Sequence, residues 1–265
     1  MALSKIIAVL DPTLDEQPAF ERALDSAEIT GAGLHLYMCV NGSYGDGDRD
    51  NIITKYLSTL EDLATRARAK EVDTECEVDW HDDWRDQAVI ASQRCGADLL
   101  IKHSVDHSDV DRVKRITADW VLLRKSTCPV LMIKDHTRWE DRRVLAAVVE
   151  KPADTAHEKL NEQVIAFTND FAQSYQSDAH FVVGYHDRNY EPNAAEIAKR
   201  CSVSEDKVHV VHGQTDEVIA NTAREIDADL IVIGTVGRTG IKARVVGNTS
   251  ERLLDHTHCD VLVLH

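Results

Sequence analysis

Short apolar or β-branched runs recur along the chain and alternate with stretches whose apolar residues fall at helical spacing. Ile6–Leu10, Leu34–Val40, Glu75–Asp79, Leu99–Lys102 and Val130–Ile133 have strand length. Between the first of these, Phe20, Ala23, Leu24 and Ala27 follow the i, i+3, i+4, i+7 pattern. Ile53, Tyr56, Leu57 and Leu60 do the same, continuing through Ala64 and Ala67. From Val144 a second set begins: Val144–Val149, His180–Tyr185, Val208–Val211, Leu230–Ile233 and Val261–Leu264 read as strands. Leu160, Val164, Phe167 and Phe171 mark one helix of this set, and Val218, Ile219, Thr222, Ala223 and Ile226 mark another. Continuous apolar strands alternating with amphipathic helices predict an α/β fold, with a parallel sheet covered on both faces. Sheets of this kind take ligands at the carboxyl ends of their strands.

The two sets are copies of one another. The segment starting at Asp98 aligns without a gap on the segment starting at Asp229, an offset of 131 residues. Asp98/Asp229, Leu99/Leu230, Val105/Val236, Leu122/Leu253, Leu123/Leu254, Cys128/Cys259, Val130/Val261 and Leu131/Leu262 are identical pairs. The first strands correspond at an offset of 138, so the second copy is shorter by a net 138 − 131 = 7 residues. The chain therefore reads as two homologous domains, residues 1–138 and 139–265, meeting in the polar stretch from Asp135 to Arg143.

Composition narrows the function classes. Forty-six acidic against 30 basic side chains give a formal charge of −16. That balance opposes nucleic acid as a partner and disfavours an anionic membrane surface. No run approaches the ~20 apolar residues of a membrane span, and the first twelve residues lack the apolar length of a signal peptide. The six cysteines are scattered without a CxxC pair, as expected of reduced thiols in a cytoplasmic protein.

The strongest local feature is Gly234-Thr235-Val236-Gly237-Arg238-Thr239-Gly240, directly after the strand Leu230–Ile233. Glycines there allow a ligand to approach backbone amides closely. Gly247, Asn248, Thr249 and Ser250 then place hydroxyls and free amides at a predicted helix amino terminus, an end that attracts phosphate. Arg238 and Lys242 supply counter-charge. An ordinary capped strand–helix turn accounts for the same residues. Neither GxxxxGK[ST] nor GxGxxG with its distant acid is present.

The spacing Gly234-x2-Gly237-x9-Gly247, followed by a polar residue, resembles the ATP-binding signature of the universal stress protein family. The resemblance extends over the whole chain as a tandem pair. It implies two Rossmann-like domains of the adenine nucleotide alpha hydrolase-like type, each a five-stranded parallel sheet with helices on both faces. It further implies an adenine nucleotide, ATP or AMP, with Mg2+ accompanying the phosphates. An internal pseudo-dimer of the two domains would follow from the tandem type, which leaves a further homodimer open. Carried over by position, Gly234 and Gly237 pass under the ribose and phosphates, with Thr235 and Arg238 beside them. Gly247, Asn248, Thr249 and Ser250 bind phosphate oxygens, and Tyr185 flanks the adenine. The family usually has an Asp facing the nucleotide at the end of the first strand. Here Val149 aligns with that Asp and Glu150 follows it. The first copy keeps Asp11 but has His103, Asp106 and Ile116 at the glycine positions, which implies a degenerate site.

Other constellations are weaker. His103-x3-His107 with Asp106 and Asp109, and His81-Asp82-Asp83, have the composition of metal ligands but equally that of solvated loops. No catalytic residue emerges: there is no GxSxG elbow and no general base beside the glycine loop, so any ATPase activity would be slow. The four tryptophans, Trp80, Trp84, Trp120 and Trp139, lie in or next to the first copy. They leave open a non-enzymatic adaptor or chaperone-like protein that binds an apolar ligand or partner there.

Overall fold

A computed structural model describes residues 3–45, 48–104, 122–134, 142–235, 253 and 257–265. The chain divides into two compact units, Ala2–Arg138 and Trp139–His265.

In the first unit the elements run β1 (Lys5–Val9), α1 (Pro18–Thr30), β2 (Gly33–Val40), α2 (Arg49–Arg68), β3 (Thr74–Trp80), α3 (Trp84–Cys95), β4 (Leu99–His103) and β5 (Val130–Ile133). Its strand order is β3-β2-β1-β4-β5 and every pairing is parallel. The second unit runs β6 (Arg143–Ala147), α4 (Thr155–Tyr175), β7 (Asp178–Tyr185), α5 (Ala194–Cys201), a 3-10 turn (Glu205–Lys207), β8 (Val208–His212), α6 (Thr215–Glu225), β9 (Leu230–Gly234) and β10 (Asp260–Leu264). Its order, β8-β7-β6-β9-β10, repeats the first, again wholly parallel. Right-handed crossovers in this order put α1 and α2 on one face of their sheet and α3 on the other. The order reverses between β1 and β4, and between β6 and β9, which makes their carboxyl ends the places for a ligand.

Local chemistry starts and stops these elements. Pro18 opens α1, and Gly31, at φ +73, ends it in the left-handed region that a side chain disfavours. Asp48, Asp154 and Asn193 cap α2, α4 and α5 by accepting the amides of Asn51, His157 and Glu196. The strand centres form the cores: Ile6, Ile7, Leu100 and Ile101 in the first unit, and Leu145, Phe181, Ile231 and Val261 in the second, are all fully buried. At ~1.5–3 kcal/mol for each such side chain, these positions dominate the folding energy.

The identical residues of the repeat have structural work at the amino ends of the sheets. Asp98 accepts the amides of Ser4 (2.8 Å) and Lys5 (3.0 Å). Asp229 likewise accepts the Arg143 amide (3.0 Å) and pairs with Arg142 (2.5 Å). Cys128 and Cys259 each follow a hydroxyl, of Ser126 and Thr257, that accepts the cysteine amide just before the last strand.

Some patterns shift. On α2 the buried stripe is Ile52, Tyr56, Leu60, Ala64 and Ala67, while Leu57 is exposed. β6 ends at Ala147, two residues before the expected end at Val149. The helix α5 was not among the expected elements, because eight residues with Ile197, Ala198 and Cys201 as the buried set give too short a period to detect. No helix among the described residues is long and apolar enough to cross a membrane.

Candidate functional site

At the carboxyl end of β6 the chain passes through Val148, Val149, Glu150 and Lys151 into α4. The Val149 peptide is pinned from both sides by Asn161, one side chain in the second turn of α4. Its Oδ1 accepts the Val149 amide at 2.8 Å, and its Nδ2 donates to the Val149 carbonyl at 3.1 Å. Val149, a residue 53% exposed, therefore offers a ligand its side chain more than its backbone. The first unit makes the same clamp from a different place. Gln17 Oε1 accepts the Asp11 amide at 3.1 Å, while its Nε2 donates to the Asp11 carbonyl at 2.7 Å. Asp11 and Val149 match across the repeat, but Gln17 and Asn161 do not. Two unrelated side chains thus hold the equivalent peptide.

Glu150 is already engaged. Its carboxylate accepts the Tyr190 hydroxyl and, at 3.1 Å, the Asn193 amide. Lys151 Nζ lies 4.0 Å from the centroid of the Tyr190 ring. Desolvation pushes the Glu150 carboxyl upward, but these donors and the Lys151 charge outweigh it and hold the group below the usual carboxylate range. Together they tie the β7–α5 loop to the β6–α4 loop. Arg200 Nη1 stands 3.4 Å from the carbonyls of Val149 and Glu150. Beside this tie lies a cleft of about 220 Å3 floored by Val148, Ile165, Ile197 and Cys201, with Glu150 and Arg200 among its polar lining. Burial pushes the Cys201 thiol up to about 11, so the floor is uncharged.

Tyr185 ends β7 half-buried, its ring edge-on to His212 at 5.3 Å. On β9, a Cβ built on Gly234 would stand 2.6 Å from Leu160 Cγ. The glycine is thus required by the approach of α4 to the sheet, whatever else it does. Thr235 donates its amide to Leu264 at 2.8 Å. Gly237, Arg238, Gly247, Asn248, Thr249 and Ser250 lie outside the described residues. Val149, Glu150, Gly234 and Thr235 thus lie at or just past the ends of the two adjacent strands on either side of the switch point, and Tyr185 ends the next strand along.

In the first unit Asp11 spends its carboxylate on Thr13, accepting the amide at 2.9 Å and the hydroxyl at 2.6 Å. Lys102 Nζ, 5.1 Å from the Trp84 ring centroid, donates to the His103 carbonyl at 2.7 Å. His81 Nδ1 accepts the Asp83 amide at 2.9 Å, and Asp83 caps α3, so that triplet is a turn. His107, Asp106, Asp109, Trp120 and Trp139 lie outside the described residues. Among the described residues no group of three or more acidic, histidine or cysteine side chains is placed to hold a metal ion. All six cysteines are free thiols.

Asn161, Gln17, Tyr190, Asn193 and Arg200 escaped the sequence reading. Each acts on backbone or on a neighbouring loop, and the repeat alignment sets Asn161 against Ala23, which conceals the shared clamp.

Comparison with known proteins bears on the whole chain. The model of the universal stress protein family matches residues 3–134 and 142–265. Universal stress protein E of Escherichia coli K12 is 28% identical over 98% of this chain and 93% of its own length. A homologue from Haemophilus influenzae is 23% identical over 99% of this chain and 97% of its own. Among solved structures, a functionally unknown protein of Pseudomonas aeruginosa PAO1 superposes with a TM-score of 0.83 and 29% identity, covering 99% of this chain and 92% of that one.

Proposed function

Because the chain belongs to the universal stress protein family, we propose that its second unit binds an adenine nucleotide, ATP or AMP, as a regulatory ligand. The observation that carries this reading is the sequence Gly234-x2-Gly237-x9-Gly247-Asn248, which begins on the last residue of β9, beside the switch point of the second sheet. Free amides and hydroxyls in such a segment favour phosphate oxygens, and Arg238 with Lys242 offsets the acidic whole. Mg2+ would accompany the phosphates through their own oxygens, a mode that needs few protein ligands.

The residues at the end of β6 shape what the site offers. The committed Val149 peptide and Glu150 carboxylate leave apolar contact by Val149 as that strand's contribution. The first unit lacks the glycines, and its Asp11 carboxylate is turned to Thr13, so a single nucleotide per chain is expected.

Calorimetric titration of the intact chain with ATP, ADP and AMP tests this. Micromolar binding of one nucleotide, lost in Gly237→Asp, is the expected result. No heat with any of the three would remove the reading.

A further inference from the structure

Two imidazoles in the second unit take no part in the nucleotide reading. His180 on β7 places Nδ1 3.0 Å from Nε2 of His209 on the edge strand β8. The ring planes lie within 18° of each other, and the centroids are 5.2 Å apart. That centroid separation exceeds the N···N distance by close to the summed radii of the two rings, so they meet edge to edge with the nitrogens nearly in line. Asp178 Oδ2, 3.3 Å from His180 Nε2, fixes the tautomers. With Nε2–H facing the carboxylate, His180 Nδ1 carries a lone pair and accepts from His209 Nε2–H.

The spacing says what sits between the nitrogens. Tetrahedral zinc, with Zn–N of ~2.0–2.1 Å, would set the nitrogens about 3.3 Å apart with their lone pairs converging at an angle, and a metal in line between them would need about 4 Å. At 3.0 Å they fit one shared proton. A second proton on the inner nitrogens has no lone pair to meet and sets two like charges against each other.

The surrounding charges do not offset that repulsion with a dedicated carboxylate pair. Asp178 on β7 is shared with Lys207 of the 3-10 turn. Asp206 in the same turn and Glu225 at the end of α6 are the other acids, and Arg143 on β6 and Lys207 act against protonation. The first unit differs. His35, which matches His180 in strand register, lies between Glu75 (3.3 Å) and Glu77 (2.7 Å), so its added proton meets two carboxylates.

We propose that His180 and His209 form an acid-triggered latch on β8, holding the edge strand while the pair shares one proton and releasing it when both rings are protonated. Burial pushes both imidazoles below their ordinary value of 6.5, in keeping with a closed latch at neutral pH.

The test is a titration of the intact chain from pH 8 to 5, following the histidine ring resonances and the amide exchange protection of β8. Expected are two coupled steps for His180 and His209, both below 6.5. Protection of β8, corrected for intrinsic exchange, should fall up to tenfold per pH unit for each proton taken up. In His209→Gln, whose amide still donates to His180, His180 should titrate in one step and the loss of β8 protection should shrink. Independent single-step titration of the two rings in the native chain would overturn the proposal. So would equal loss of β8 protection in the native chain and the variant. If the variant fails to fold, the native titration alone decides. Displacement of the shared proton by stoichiometric Zn2+ at neutral pH would also count against it.

Discussion

Gly234 is where packing and the proposed ligand chemistry ask for the same residue. A methyl at 234 meets Leu160 at 2.6 Å, inside any real Cβ contact. Gly234→Ala should cost about 1–3 kcal/mol in denaturant unfolding, through overpacking. In a Leu160→Ala background, where the colliding atoms are gone, Gly234→Ala should cost less than it does in the native chain. An equal cost in both backgrounds would show that the collision is not the cause. Asn161 gives a second residue-scale expectation. Asn161→Ala removes both partners of the Val149 peptide and should destabilise the second unit by about 1–2 kcal/mol. Backbone amide exchange at Val149 should rise with it. Unchanged exchange would mean that the clamp does not hold the loop. Neither role is written in residue types, because a glycine after a strand and an asparagine in a helix have many uses.

Among the elements, the ten strands of the described residues are readable from β-branched and apolar runs, with ends moved by a residue or two; Val130–Ile133 falls on its strand without a shift. The long helices were readable from their period, but the face was not always. On α2, Ile53 and Leu57 compete with Ile52 for the buried side, and only the contact with the sheet selects Ile52. The short α5 has a cap as well as its buried stripe of Ile197, Ala198 and Cys201. Asn193 caps it through the Glu196 amide, while its own amide binds Glu150. Asn193→Ala should therefore loosen α5 by about 1 kcal/mol, read as faster amide exchange in its first turn. The Glu150–Asn193 bond is made by backbone and should survive; if Glu150 is also freed, the cap and the tie are one unit.

For the whole chain, acid and base act through buried imidazoles and thiols and through paired carboxylates. Burial pushes His35, His180, His209 and His265 below 6.5. The unfolded chain then binds more protons than the folded one below that pH, so stability should fall as pH drops from 6.5. Glu75 and Asp178 are held below their ordinary values, by Lys5 and His35 for Glu75 and, against desolvation, by Lys207 and His180 for Asp178, and they extend the loss to lower pH. Urea midpoints should therefore decline from pH 7.5 to 5, and a flat profile would contradict the burial. The thiols report the other limb. Burial raises Cys39, Cys201 and Cys259 to about 11 and Cys76 to about 12. Their stabilisation is intact below about 9 and fades as pH rises above it. At pH 8 a thiol reagent should label the folded chain much more slowly than the unfolded one.

The order of hydrophobic and polar positions, repeated at two offsets, determined the α/β class, the two copies and the places of the strands. It could do so because those properties are local: a period, a run length and a matched string. The glycine spacing after Leu230–Ile233 pointed to the family for the same reason, since close backbone approach demands particular residues at particular intervals. Only the tertiary structure decided that Gly234 answers to Leu160, that Glu150 is spent on Tyr190 and Asn193, and that Gln17 and Asn161 grip equivalent peptides. It alone brought His180 against His209. Those contacts join residues far apart in the chain, and nothing in one partner's neighbourhood specifies the other.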